Sequence, residues 1–154
     1  MAIPDAVLAL IENFEKNRDE YRGAAYNETE LRRDFLDPFF EALGWNVANA
    51  NKGQGALSGA RRDVSHEYSM KVEGEVAGEK KSRAPDYAFR IGEVEEKPRF
   101  FVEAKKPSVN LHKDVQPAFQ VRSYGWSAGL PFCVLSDFEE FAVYDCRFKP
   151  TSIV

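Results

Sequence analysis

The chain has 154 residues, 44% hydrophobic and 30% charged, with a net charge of -4 and a pI near 5.3. That length fits one ordinary domain able to bury a core without staples, and the composition excludes a disordered chain, while no apolar run is long enough for a membrane span. The acidic balance leaves two readings open: nucleic acid is not the ligand, or a carboxylate-rich metal site is present and other domains or subunits supply most phosphate contacts.

The first segment, Ile3 to Tyr21, carries Val7, Leu8, Leu10, Ile11 and Phe14 at helical spacing, with Pro4 suited to a first turn. A second helix opens at Asn27, a cap residue with Glu30 three positions on, and continues through Leu31, Phe35, Phe39, Phe40 and Leu43. Pro38 predicts a kink or break near Asp37, and Gly44 a helix terminator, after which Trp45-Asn46-Val47 reads as the start of a strand. Residues 49–60 read as a loop, and Asp63 to Val72 as an alternating strand. Glu73 to Arg83 is a charged turn. Four further strands are predicted, Asp86 to Ile91, Arg99 to Ala104, Phe132 to Leu135 and Glu140 to Cys146. A helix over Lys113 to Trp126 has Val115, Phe119 and Val121 as its buried positions. The order predicts a single α/β domain with a mixed central sheet flanked by helices.

Cys133 and Cys146 lie in apolar strand-like stretches with no CxxC pair, which reads as reduced core residues of an intracellular, cytoplasmic protein without a leader peptide. His66 and His112 are isolated and lack metal-ligand spacing. The chemistry is concentrated elsewhere. Pro85-Asp86 and Glu103-Ala104-Lys105 place one carboxylate on each of two strand-like runs, with a lysine two residues past the second. Residues i and i+2 of a strand share a face, so Glu103 and Lys105 point the same way, and Asp86 joins them if the strands are neighbours. Two carboxylates so placed repel unless a divalent cation lies between them. Mg²⁺, with Mn²⁺ as a substitute, is the natural one for hard oxygen ligands. Glu30 is the best candidate for an additional ligand, with Glu28 as the alternative. The ExK string occurs three times, but only Glu103-Ala104-Lys105 ends an apolar strand. Taken alone, Glu103 and Lys105 read equally well as a surface ion pair. Gln120 and Tyr124, four apart on one helix face, strengthen the site reading.

Pro85-Asp86, Glu103-Ala104-Lys105-Lys106-Pro107 and Gln120-Val121-Arg122-Ser123-Tyr124 together resemble the PD-(D/E)xK nuclease domain of restriction enzymes. The resemblance is strongest to the N-terminal domain of type I restriction motor subunits and of fused type II restriction-modification enzymes. It extends over Glu30-Leu31-Arg32 and Asp37 to Trp45, and downstream through Tyr124 to Pro131 and Ser136 to Phe141. It implies a restriction-endonuclease-like core and an endonuclease domain hydrolysing double-stranded DNA. It also implies other domains or subunits for specificity and methylation, with this chain the N-terminal part of a longer protein. Asp86 and Glu103 would bind metal with the Ala104 carbonyl, Lys105 would assist, and Gln120 and Tyr124 would lie beside them. A repair or recombination nuclease of the same superfamily, or a non-catalytic DNA-docking module on the same fold, are the alternatives.

Overall fold

A computed structural model describes residues 2–48, 63–68, 84–91 and 97–151. The predicted loop over residues 49–60 and the charged turn over 73–83 lie outside them. Helix α1 (Asp5–Lys16) has an acid in its first turn and a lysine in its last, complementing the helix dipole, and buries Val7 and Phe14 two turns apart. It stops at Asn17, whose side-chain amide donates to the Asn13 carbonyl, so the predicted single helix to Tyr21 is two pieces, with α2 spanning Arg18–Tyr21.

Asn27 caps α3 (Glu28–Leu31) as its sequence foretold. Its side chain accepts from the Glu30 amide at 3.0 Å, and the Glu30 carboxylate accepts from the Asn27 amide at 2.9 Å. The disruption expected around Pro38 takes the form of a π-helical turn, Arg32–Leu36, after which α4 (Asp37–Ala42) continues with the proline in its first turn, where no N–H is needed. Gly44, at φ +95°, ends the helix: its amide donates to Glu41 and that of Trp45 to Phe40, both ends of a Schellman closure. That closure overrides the strand expected from Trp45. Val47 instead turns back to donate to the Trp45 carbonyl, although its side chain is buried.

Five strands form one sheet in the order β1 (Val64–His66), β2 (Tyr87–Phe89), β3 (Phe100–Ala104), β4 (Phe132–Ser136) and β5 (Phe141–Asp145). The β3–β4 pair is parallel and the other three are antiparallel, which makes the sheet mixed as expected. Strand β1 is shorter than predicted because Glu67 turns to φ +50°; positions 69–72 of that prediction lie outside the described residues. Helix α5 (Gln116–Ser127) makes the crossover between the parallel strands. It starts after Val115, which is therefore exposed rather than buried.

Alternation sends successive residues to opposite faces. Tyr87, Phe89, Val102 and Ala104 join Leu31, Phe35, Leu36 and Phe40 under the N-terminal helices. Ala88, Phe101, Cys133 and Leu135 join Val121 and Tyr124 under α5. The central strands are covered on both faces, and the ends of β2 and β3 where Asp86 and Glu103 sit lie between the two helical layers.

Candidate active site at the end of the central strands

The register sets the site. Tyr87 pairs with Val102, so one step outward Asp86 comes opposite Glu103 at the margin of β2 and β3. The Asp86 carboxylate is held on both oxygens: Oδ2 accepts from the Ala104 amide at 2.8 Å and Oδ1 from the Arg32 guanidinium at 2.9 Å. Glu103, buried to 4% exposure, accepts at Oε1 from Lys105 Nζ and from Gln120 Nε2, both at 2.9 Å. Gln120 also donates to the Tyr124 hydroxyl at 2.8 Å, so the helical i, i+4 pair meets the acid as one unit. The five residues singled out as catalytic by pattern are thus brought together by two strands and one helix.

The remaining expectation, Glu30, divides from the rest. Its carboxylate is engaged at the N-cap of α3, while Glu28, two residues earlier and on another side of the helix, stands 3.8 Å from Lys105 Nζ. The carboxylate that reaches the cluster from this helix is therefore Glu28, the alternative in the sequence.

Charge balance is unusual here. Burial, then the nearby Asp86 charge, push the Glu103 carboxyl from 4.5 up to about 7, against the opposing pull of Lys105. Burial works against the Lys105 ammonium, but Glu103, Glu28 and Asp86 together raise it above its ordinary value. Among the described residues Glu103 Oε2 is buried with no hydrogen-bond partner. A buried carboxylate oxygen left unpaired costs free energy on the order of 1–3 kcal/mol, so such an atom calls for a ligand. Among the described residues no three His, Cys, Asp or Glu side chains cluster as a complete metal cage. Two carboxylates with a main-chain oxygen suit instead a hard cation that keeps part of its water shell, the manner of Mg²⁺. The unpaired Oε2 and the donor set therefore fit such an ion.

Sequence reasoning gave no site role to Arg32 or His66. Arg32, at the start of the π turn, lies over the Tyr87 ring with its guanidinium carbon 5.1 Å from the centroid and approaches Glu67 at 3.9 Å. His66 Nε2 faces the Val47 carbonyl at 3.2 Å and must donate to it, which leaves Nδ1 to accept from Arg32 at 3.3 Å. The histidine orients an arginine rather than a metal. The Arg32–Asp86 contact spans 54 positions, beyond any local spacing rule; the available signal was the place of Arg32 in the Glu30-Leu31-Arg32 stretch of the resemblance.

No family model matches the chain, and no solved structure matches it. Over 142 residues, 92% of this chain, the sequence is 44% identical to the type II restriction enzyme and methyltransferase RM.Eco57I of Escherichia coli. The chain spans 13% of that protein's length, so its likeness is to one segment of a restriction enzyme and methyltransferase.

Proposed function

We propose that the chain is a Mg²⁺-dependent endonuclease domain of a restriction-modification protein, hydrolysing phosphodiester bonds of double-stranded DNA on a PD-(D/E)xK core. The observation that carries this reading is the buried Glu103 Oε2, without a hydrogen-bond partner among the described residues, on an acid that feels the Asp86 charge and holds Lys105 at its other oxygen. The likeness to a restriction enzyme and methyltransferase supports the substrate class.

Asp86, Glu103 and the Ala104 carbonyl would hold the cation, Mg²⁺ or in its place Mn²⁺. When bound, it supplies Lewis acidity toward the phosphodiester and lowers the pKa of water beside it. The Ala104 amide fixes the plane of Asp86, and Gln120, itself steadied by Tyr124, fixes the rotamer of Glu103. Lys105 stays protonated among three carboxylates, so it orients the attacking water and stabilises negative charge on the phosphoryl oxygens as that charge builds. Base reading, methylation and any translocation belong to other parts of the protein or to other subunits, consistent with a net charge of -4.

The test is nicking and cleavage of plasmid DNA at low salt by the wild-type chain, Asp86→Ala and Lys105→Ala, with Mg²⁺, Mn²⁺ or EDTA. Cation-dependent cutting by the wild type, lowered by at least roughly 100-fold in each variant, is the expected result. Equal cutting by all three proteins removes the assignment.

A further inference from the structure

Asp86 presents a difficulty for the proposed chemistry. Its Oδ2 is fixed by the Ala104 amide and its Oδ1 already receives a cation, the Arg32 guanidinium. That guanidinium is well sheltered, with 15% of its side chain exposed against 17% for Asp86. It is oriented by His66 on one edge and by the Tyr87 ring beneath it. A divalent ion approaching Oδ1 therefore meets a like charge held in place, and two cations on one carboxylate oxygen repel strongly where water is scarce.

We infer that Arg32 is a positioning residue that keeps the cation's place at Asp86: the divalent ion displaces it, and the released guanidinium turns to a phosphate of the incoming DNA. The inference rests on the reading of Asp86 and Glu103 as cation-holding carboxylates. It explains why an arginine stands here rather than a lysine. The planar fork can bond Asp86 and lie flat on Tyr87 in one state, then bind phosphate oxygens in the other. A singly charged guanidinium leaves Asp86 as a doubly charged ion arrives, so the site gains one positive charge and the acidic pair is never left bare. The exchange also couples the two ligands. Cation binding frees the DNA-binding group, and a bound phosphate holds that group away from Asp86, so each ligand raises the affinity for the other.

The experiment is calorimetric titration of Mn²⁺ into the full chain as wild type, Arg32→Gln, Arg32→Lys and Asp86→Asn. It is paired with fluorescence anisotropy of a short labelled duplex with Ca²⁺ as the cation. Removal of the competing charge should tighten Mn²⁺ binding by about fivefold in Arg32→Gln, the order expected for a partly exposed ion pair. Arg32→Lys should stay near wild type, Asp86→Asn should lose the binding, and duplex affinity should fall severalfold in Arg32→Gln. A merely structural arginine would weaken cation binding or leave it unchanged. Wild-type binding lost in Asp86→Asn but not tightened in Arg32→Gln overturns the inference and leaves the site reading standing. No Mn²⁺ binding by either wild type or Arg32→Gln overturns both, beginning with the site. Should circular dichroism show Arg32→Gln unfolded, the Arg32 Nε–H resonance of the wild type decides. A shift on adding Mg²⁺ supports displacement, and an unmoved resonance at saturation overturns it.

Discussion

At the scale of single residues, the side chain that departs furthest from its behaviour in water is Glu103. Its carboxyl titrates near 7 in the folded chain against 4.5 in the unfolded one, because burial and Asp86 outweigh Lys105. The folded protein thus keeps this proton where the unfolded chain has lost it. The resulting stabilisation is complete below about pH 4.5 and disappears as pH rises through about 7, a change on the order of 3 kcal/mol. Urea unfolding of the cation-free chain between pH 5 and 8 should show that decline, and Glu103→Gln should flatten it. Lys105 contributes in the same sense only at alkaline pH, outside this window. Glu103 with Lys105 and Gln120 with Tyr124 were legible in the sequence because each pair obeys a local rule, two positions apart on a strand or four on a helix, whereas Asp86 joined them only on the condition that its strand was a neighbour. Arg32 obeys none toward Asp86. Glu30 and Glu28 were both in view, and the capping box that takes up the Glu30 carboxylate leaves Glu28 as the one near Lys105.

Elements obey the same division between local and non-local causes. The Asn27 cap, the Gly44 stop and the strands at Phe100 and Phe132 are written in short patterns. The Trp45 stretch has strand-forming residues, yet the amide that a strand would have used is consumed closing α4. Helix α5 shows what pattern reading cannot reach. Gly125 reads as a weak point in a helix, but a Cβ there would sit 2.5 Å from the sulfurs of both Cys133 and Cys146. The glycine lets the helix lie directly on β4 and the end of β5. Gly125→Ala gains about 1 kcal/mol of helix propensity and loses about 1–3 kcal/mol to overpacking, for a net destabilisation of up to about 2 kcal/mol. Thermal melts should show the loss, partly restored by adding Cys133→Ala and Cys146→Ala. Because Gln120 and Tyr124 ride on the same helix, cleavage should fall more than stability does.

For the molecule as a whole, the mixed sheet with helices on both faces followed from element order, but the strand order and the parallel β3–β4 pair did not, since register is set by contacts distant in sequence. A cation bridging Asp86 and Glu103 would bind the folded chain alone. At ten times its dissociation constant Mg²⁺ adds about 1.4 kcal/mol, a rise of about 3–6 °C in Tm for a chain of this size. Differential scanning calorimetry at pH 8 should register that rise in the wild type and none in Asp86→Ala. The separations within the site carry a further consequence, for the order in which it is made. Glu103 meets Gln120 across 17 positions inside the β3–α5–β4 crossover, whereas Asp86 meets Arg32 across 54. Longer closures cost more chain entropy and come later. The two acids are themselves joined across a short closure, since the Ala104 amide meets Asp86 across 18 positions of the β2–β3 pair, so the carboxylate pair can form while Arg32 is still apart. On that order the two acids meet first and Arg32 arrives last, so a chain still folding has its carboxylates together before the guanidinium that answers their charge is in place.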